Sequence, residues 1–458
     1  MKQFEVGYAR VNIDPMLGIA VRGYYVPRYA KGFLDSLEAA ALALRCGETT
    51  LILISVDNCG IKAVLADQFR AVIAQSTGVP ASHIMIAATH THTGPSLQDR
   101  ANAGDTPEEC QRYLDFITER LRDVAVLALA DLKPAKMGFI TGYAPERVAY
   151  IRRYKMKDGS TMTCPPINDP NIDHAIGRLD QRVHVLRFDQ ENGETVVLVN
   201  YGLHADTVNG ELISADFPGW MRRTLEQALD GVRCIFFNGA EGDVGSTHVF
   251  PEGGDMNDTE ISFDNEMKSP GMARFVGRAL AGTVLQVFDK AEYVAVDSIA
   301  MVQKIVAVAA NVPDPKDLPL AHKYKELHDA GRDEEIPYTA MELTTVVAEA
   351  ARMCLLENGP DKFELPLTGV KLGPVAMIGI PGEPFTDIGV QLKETEGWRM
   401  ILPCCLSNGA EGYFPMKSAF DEGGYEARAS RYRGGVAETI IEAGKQLLTE
   451  LNTQEELQ

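Results

Sequence analysis

Short runs of consecutive apolar residues recur along the chain, and each run ends in a polar or glycine-rich turn. The runs are residues 50–56, 83–88, 195–200, 234–237, 375–380 and 400–406. Uninterrupted hydrophobicity over so few residues is typical of β-strands that are buried on both faces, because a strand with one solvated face alternates apolar and polar residues. The pattern therefore predicts a strand at each run, in the interior of the fold.

Apolar residues at helical spacing occur between these runs. Thr106-Pro-Glu-Glu109 has the form of a capping box with proline at the first helical position, and it predicts the start of a long amphipathic helix. The apolar stripe of this helix is Tyr113, Phe116, Ile117, Leu121, Val124 and Ala128. Asp216, with Pro218 behind it, marks the start of a second helix. Its stripe is Trp220, Met221, Leu225 and Ala228. We expect residues 317–358 to be mostly helical and residues 433–452 to form a closing helix.

The alternation of strands and helices predicts a layered α/β fold, with mixed sheets flanked by helices and the active site at the carboxyl ends of strands. A length of 458 residues is compatible with several domains or with one large α/β enzyme. We expect residues 1–458 to form a single large catalytic domain, and a division into lobes 1–295 and 296–458 is left open.

Composition and charge mainly exclude certain partners and a membrane location. The 64 acidic and 44 basic side chains give a net charge of −20, which argues against nucleic acid as a partner and against permanent docking on anionic lipid. No apolar run reaches about 18 residues, so no membrane span is expected. The first residues lack the apolar core of a signal peptide. The eight cysteines include no Cys-x-x-Cys pair, and we expect reduced thiols and a cytoplasmic location.

Two further segments have more than one interpretation. Residues 250–268 are acidic and poor in apolar residues, and a solvated loop is favoured over a calcium site because the DxDxDG ligand spacing is missing. The pentapeptide Asn-Gly-Ala-Glu-Gly occurs at 238–242 and again at 408–412. The repeat indicates either a duplicated half or two unrelated turns that follow strands, and the second is favoured because the flanking sequences differ.

Polar side chains directly follow the predicted strands. His90 and His92 come after residues 83–88, and a two-residue strand period would point both side chains to the same side. His204 follows residues 195–200, and Glu383 follows residues 375–380. Two imidazoles, one carboxylate and further oxygen donors suit a metal ion, with zinc favoured. A single histidine at a strand end is more often structural, so the residues alone predict an α/β enzyme and leave the metal open.

Together these segments resemble the catalytic domain of the neutral, non-lysosomal ceramidase family. The matching blocks follow the family's order and span residues 5–432, and ATHTHTGPS at 88–96 is the most specific of them. The other blocks are VGYARVNIDP at 6–15, GLHADTVNGELISADFPGW at 202–220, NGAEGDVGS, IPGEPFT, SNGAEGYFP and YEARASRY.

The resemblance implies a set of site residues. The zinc ligands that it implies are His90, His204, Glu383 and Tyr413. His92 matches the family's second active-site histidine, Tyr425 falls in a Tyr-Glu block, and Arg152 in AYIRRY aligns with an arginine near the substrate's polar head. The implied reaction is hydrolysis of an N-acyl amide bond by metal-activated water, in sphingolipid metabolism. His92 would move the proton, and Tyr425 and Arg152 would stabilise the oxyanion or orient the substrate.

The chain also departs from the family pattern. The position of a serine often given a catalytic role is Gly245 here, and Ser246 comes one residue later. The chain ends about where the family's C-terminal β-sandwich domain would begin. We therefore expect the substrate to be ceramide or a smaller, more soluble N-acyl compound. The alternatives are a zinc hydrolase of an ester or a polar, carbohydrate-derived metabolite, and a non-catalytic metal-binding homologue. The oligomeric state is left open.

Overall fold

A computed structural model describes residues 3–97, 107–251 and 268–453. The strands are β1 (Phe4–Asn12), β2 (Gly32–Phe33), β3 (Glu38–Cys46), β4 (Thr49–Val56), β5 (Ile84–Ala88), β6 (Lys133–Tyr143), β7 (Tyr150–Ile151), β8 (Arg153–Met156), β9 (Thr161–Thr163), β10 (Ile172–Ala175), β11 (Arg182–Gln190), β12 (Thr195–Tyr201), β13 (Leu212–Ile213), β14 (Val232–Asn238), β15 (Val244–Gly245), β16 (Glu292–Val294), β17 (Ile299–Ala309), β18 (Lys362–Leu372), β19 (Val375–Gly379), β20 (Glu383–Pro384), β21 (Met400–Cys404) and β22 (Tyr413–Phe414). The helices are α1 (Ala63–Thr77), α2 (Pro107–Ala130), α3 (Asp216–Ala228), α4 (Pro270–Val287), α5 (Leu318–Asp329), α6 (Ala340–Leu356), α7 (Thr386–Lys393), α8 (Lys417–Glu422), α9 (Tyr425–Ala429) and α10 (Val436–Thr453).

Two mixed sheets form the centre of the fold. The larger has nine strands in the order β14-β12-β11-β6-β1-β3-β4-β5, with β16 paired to β6. The smaller has four strands in the order β17-β18-β19-β21. Long antiparallel strands make up the middle of the larger sheet, whereas its two ends are the parallel pairs β4–β5 and β12–β14. The smaller sheet also ends in a parallel pair, β19–β21.

The sheets pack face to face between two layers of helices. Because successive side chains of a strand point to opposite faces, Leu42 of β3 lies in the core between the sheets while its neighbour Ala41 faces the outer helices. Strands of both sheets contribute to the inner core, including Val6, Met85, Val370 and Met377. Helices α1 to α4 cover the outer face of the larger sheet, and α7 and α10 cover that of the smaller one. The result is a four-layer α/β/β/α arrangement.

Backbone hydrogen bonds after β21 connect the two sheets beside the strand ends. The amide of Cys405 donates to the carbonyl of Asn238 at 3.0 Å, and the amide of Asn408 donates to the carbonyl of Ile86 at 2.7 Å. The Ile86 amide returns a hydrogen bond to Asn408 Oδ1 at 2.9 Å. These bonds hold the carboxyl ends of β5, β14 and β21 together, so side chains that follow these strands share one region.

The structure confirms the layered α/β fold and all the predicted strands. They correspond to β4, β5, β12, β14, β19 and β21, the parallel pairs of the two main sheets. His83 was predicted as strand but lies in a short 3₁₀ helix, Ala81–His83, before β5. The predicted helices correspond to α2, α3, α5 with α6, and α10. The Thr106 cap and residues 252–267 of the acidic segment lie outside the described residues.

Other composition-based expectations concern the thiols and the membrane. All eight cysteines lie in the described part of the chain, and each has a free thiol. Among the described helices, none has the length and apolarity needed to cross a bilayer. The assignment of residues 1–458 to one domain remains a prediction.

Candidate metal centre

His90 follows β5 on a tightly anchored turn. Its backbone has a φ of 74°, in the left-handed region, so the turn and not a strand period sets its direction. Thr89 donates from Oγ1 to Asp57, whose carboxylate is held by both guanidinium nitrogens of Arg222 at 2.9 and 2.6 Å. The Nδ1 of His90 lies 2.7 Å from the carbonyl oxygen of Cys59. This contact fixes the proton on Nδ1 and leaves the Nε2 lone pair directed at the site.

His204 is positioned in the same way, at the end of β12. It follows β12, is buried, and places Nδ1 at 2.9 Å from the carbonyl oxygen of Glu241. The carboxylate of Glu241, on the turn after β14, lies 2.6 Å from the same nitrogen. The Nε2 of His204 therefore faces the same space as the Nε2 of His90.

Glu383 and Tyr413 enter the site as direct neighbours. The short strands β20 and β22 pair in parallel, and Glu383 lies opposite Tyr413 in this pair. The Glu383 amide donates to the carbonyl of Gly412 at 2.9 Å. This close approach requires Gly382, since a Cβ there would lie 2.5 Å from the Gly412 carbonyl oxygen.

The donor atoms of these residues converge. Glu383 Oε2 lies 3.4 Å from His90 Nε2 and 3.4 Å from His204 Nε2, and the hydroxyl of Tyr413 lies 3.5 Å from His204 Nε2. In a tetrahedral zinc site with bonds of about 2.0–2.1 Å, neighbouring ligand atoms are roughly 3.3–3.4 Å apart. Glu383 Oε2 is buried and has no hydrogen-bond partner in the described part of the chain. The residues therefore fit a metal ion, and His90, His204, Glu241 and Glu383 form a candidate metal-binding cluster.

The electrostatics of the cluster also favour a cation. Burial lowers the pKa of His90, but the Glu383 and Glu241 carboxylates outweigh this effect and leave that pKa well above its usual value. Burial raises the pKa of Glu383, and the two imidazoles more than reverse the effect. The carboxylates thus demand positive charge between the imidazoles, which a shared proton or a divalent ion can supply.

His92 lies on the same turn as His90, but its side chain lines a pocket beside the metal-binding cluster. Its Nε2 is 3.3 Å from His90 Nε2, and its Nδ1 is 3.6 Å from Asp206 Oδ1. Asp206 is held in turn by Lys268 Nζ at 2.7 Å and by the hydroxyl of Tyr24. Burial lowers the pKa of His92 well below its usual value, and Asp206 opposes this only in part, so the imidazole is neutral at pH 7.

Arg152 and Tyr425 complete the wall of this pocket. Arg152 donates from Nε to Glu426 at 2.7 Å and from Nη2 to the carbonyl of Gly242 at 2.9 Å. Its guanidinium carbon lies 5.4 Å from the centre of the Tyr413 ring. The Tyr425 ring stands edge-on to Tyr413 with 5.5 Å between the centroids. Every predicted site residue thus lies at the cluster or in the pocket beside it.

The pocket lies beside the cluster, with His92 and Tyr413 in its wall, and encloses about 580 Å³ when the open space at its mouth is included. Its lining residues include His92, Arg152, Tyr413, Tyr425, Asp206 and Lys268 from the core, and Met341 and Thr344 from α6.

Sequence reasoning missed Glu241 and Asp206. Both lie within blocks that were recognised: Asp206 lies two residues after His204, and Glu241 lies in the repeated pentapeptide. A carboxylate near a histidine in sequence carries no spatial information, because the turn decides whether the two meet. The repeat was the one available signal for Glu241.

The fold has counterparts among solved structures. A neutral ceramidase from Pseudomonas aeruginosa superposes with a TM-score of 0.72 at 16% identity, over 99% of this chain and 75% of that one. A ceramidase complexed with C2 gives a TM-score of 0.70 at 16% identity, over 100% of this chain and 76% of that one. The chain has the neutral ceramidase fold. No family model and no curated protein matches its sequence.

The geometry predicts that the imidazoles of His90 and His204 are essential for metal binding. His204→Ala should remove the bound metal, because it deletes one donor of the cluster. His184→Ala is the matched control: this histidine is also buried but its Nδ1 contacts Thr141, and metal content should be unchanged. Metal analysis of the purified variants measures both. Full metal occupancy in a His90→Ala, His204→Ala double variant would contradict the ligand assignment.

Proposed function

We propose that the protein is a zinc-dependent hydrolase that cleaves an N-acyl amide bond. The observation that supports this proposal most directly is the carboxylate oxygen of Glu383. It is buried 3.4 Å from each of two imidazole nitrogens and has no hydrogen-bond partner among the described residues. The ligands in this proposal are His90, His204, Glu383 and Tyr413. When bound, zinc would supply Lewis-acid polarisation of the scissile carbonyl and acidify water towards a pKa of about 7.

His92 is the proton carrier in this proposal. It is neutral at pH 7 and can accept a proton, and its Nε2 faces the cluster where the substrate carbonyl must lie. Asp206 lies 3.6 Å from Nδ1 and favours the cationic form that arises after proton uptake. His92 then passes the proton to the leaving amine nitrogen, which cannot depart as an anion.

Arg152 and Tyr425 act on the substrate. Arg152 is partly buried and ion-paired with Glu426, so its direction is fixed before the substrate arrives. A fixed guanidinium and a phenol at the pocket wall can orient the acyl or amine portion and stabilise negative charge on the carbonyl oxygen. Tyr413 lies between them and the cluster.

The substrate in this proposal is an N-acyl compound with a compact, polar amine portion. Support comes from the pocket wall, where Lys268, Asp206 and Arg152 supply charged groups and α6 places Met341 and Thr344. Ser246 is buried and is not among the described residues that line the pocket, while Gly245 replaces the family's serine and lies opposite Tyr150 of β7. The reaction therefore depends on activated water and not on a serine nucleophile.

A panel of N-acyl amides and matched esters tests the reaction class. Acyl chains from two to sixteen carbons should be combined with amino acid, amino sugar and sphingoid amines, on zinc-loaded and chelator-treated enzyme. We expect amide cleavage that is lost on chelation and restored by zinc, with higher kcat/KM for short than for long acyl chains. Cleavage of esters alone would replace the amide assignment, and no cleavage by zinc-loaded protein would favour a binding role.

His92→Ala should separate proton transfer from metal binding. The variant should keep near-stoichiometric zinc but lower kcat by about 10²–10⁴-fold, the usual size of an acid–base contribution. Added imidazole should restore part of the lost activity, because it can occupy the vacated space. If the zinc is lost instead, His92 is a ligand and the proton carrier must be another residue, with Tyr425 next.

A further inference from the structure

Glu241 is a buried carboxylate that the roles above leave unexplained. Its side chain is fully buried on the turn after β14, and within the described residues no lysine or arginine forms an ion pair with it. Its polar contacts include the Nδ1 of His204 and the Cys405 thiol, which is a weak donor. A carboxylate in the interior without a cationic partner is unfavourable, so positive charge is needed nearby.

The contact with His204 links this carboxylate to the candidate metal. Glu241 Oε2 is 2.6 Å from Nδ1, and the ring N–H points at the backbone carbonyl of the same residue, 2.9 Å away. A nitrogen and a carboxylate oxygen come this close only with a proton between them, so Nδ1 carries the proton. The carboxylate Oε2 and the backbone carbonyl oxygen of Glu241 both accept it. The other nitrogen, Nε2, is then unprotonated and faces Glu383.

The second copy of the pentapeptide provides an internal comparison. Glu411 occupies the same place in Asn-Gly-Ala-Glu-Gly, but its carboxylate pairs with Arg431 at 2.9 Å and accepts the amide of Ala63 at 3.2 Å. Its charge is neutralised within the fold. Glu241 has no such cationic partner among the described residues, so this difference is not a property of the motif, and it occurs beside the candidate metal.

We propose that Glu241 is a positioning residue of the metal centre. It fixes the tautomer and ring orientation of His204, and its negative charge makes the imidazole a stronger donor and offsets the charge of the cation. The proposal rests on the proposed function, because it requires a metal at the cluster. It adds a carboxylate–histidine–metal relay to the ligands already named.

The test compares zinc affinity among Glu241→Gln, Glu241→Ala and the control Glu411→Gln, by competition with a chelator of known affinity. Removal of such a partner lowers metal affinity by about 10–100-fold. We expect Glu241→Gln at the lower end, because its amide oxygen still accepts the Nδ1 proton, and Glu241→Ala at the upper end. Glu411→Gln should bind zinc as the unaltered protein does.

Two further measurements separate positioning from packing. The metal-free Glu241→Gln protein should be at least as resistant to urea as the metal-free parent, because a buried negative charge has been removed. In cobalt-loaded samples the visible absorption bands should shift for Glu241→Gln and stay fixed for Glu411→Gln, since only Glu241 contacts a proposed ligand, His204.

The outcomes are distinct. Unchanged zinc affinity in both Glu241 variants would overturn the positioning role while leaving the proposed function intact. Complete loss of zinc in Glu241→Gln would make Glu241 a direct ligand and also overturn it. If the parent protein binds no zinc, the proposed function itself fails.

Discussion

The carboxylate of Glu383 between two imidazoles is the interaction on which the rest of the site depends. An oxygen buried 3.4 Å from two ring nitrogens, without a hydrogen bond, is stable only if positive charge lies among them. Groups around the site orient the two imidazoles. The backbone carbonyls of Cys59 and Glu241 accept the Nδ1 protons of His90 and His204, so that both Nε2 atoms face Glu383. The four-layer fold brings these groups together because its parallel strand pairs end at one place.

Much of the fold could be predicted from the hydrophobic pattern, and the reason is physical. The predicted strands are those of the parallel pairs, which are covered on both faces and therefore have continuous apolar sequences. The antiparallel strands β3, β6, β11, β17 and β18 were not predicted. Glu38–Cys46 is rich in alanine and leucine, which favour helices, and only pairing with β1 and β4 makes this segment a strand.

The site could be predicted less directly. The residues alone indicated that polar side chains follow the strands. The resemblance to ceramidases indicated which of these side chains belong to the site. His90 and His92 were expected to face one side because of a strand period, and this reason was wrong. Both residues lie on a turn, and His90 has a left-handed backbone. They face a common space because the buried Asp57–Arg222 pair and the Cys59 carbonyl fix that turn. Such tertiary contacts, like those of Glu241 and Asp206, leave no local signal.

The central claim is that a metal ion occupies the space among His90, His204 and Glu383. Anomalous diffraction at the zinc absorption edge, on crystals of the zinc-loaded protein, locates the ion directly. We expect one strong peak about 2.0–2.2 Å from His90 Nε2, His204 Nε2 and a Glu383 oxygen. A peak bound by other residues, or no peak at this cluster, would contradict it.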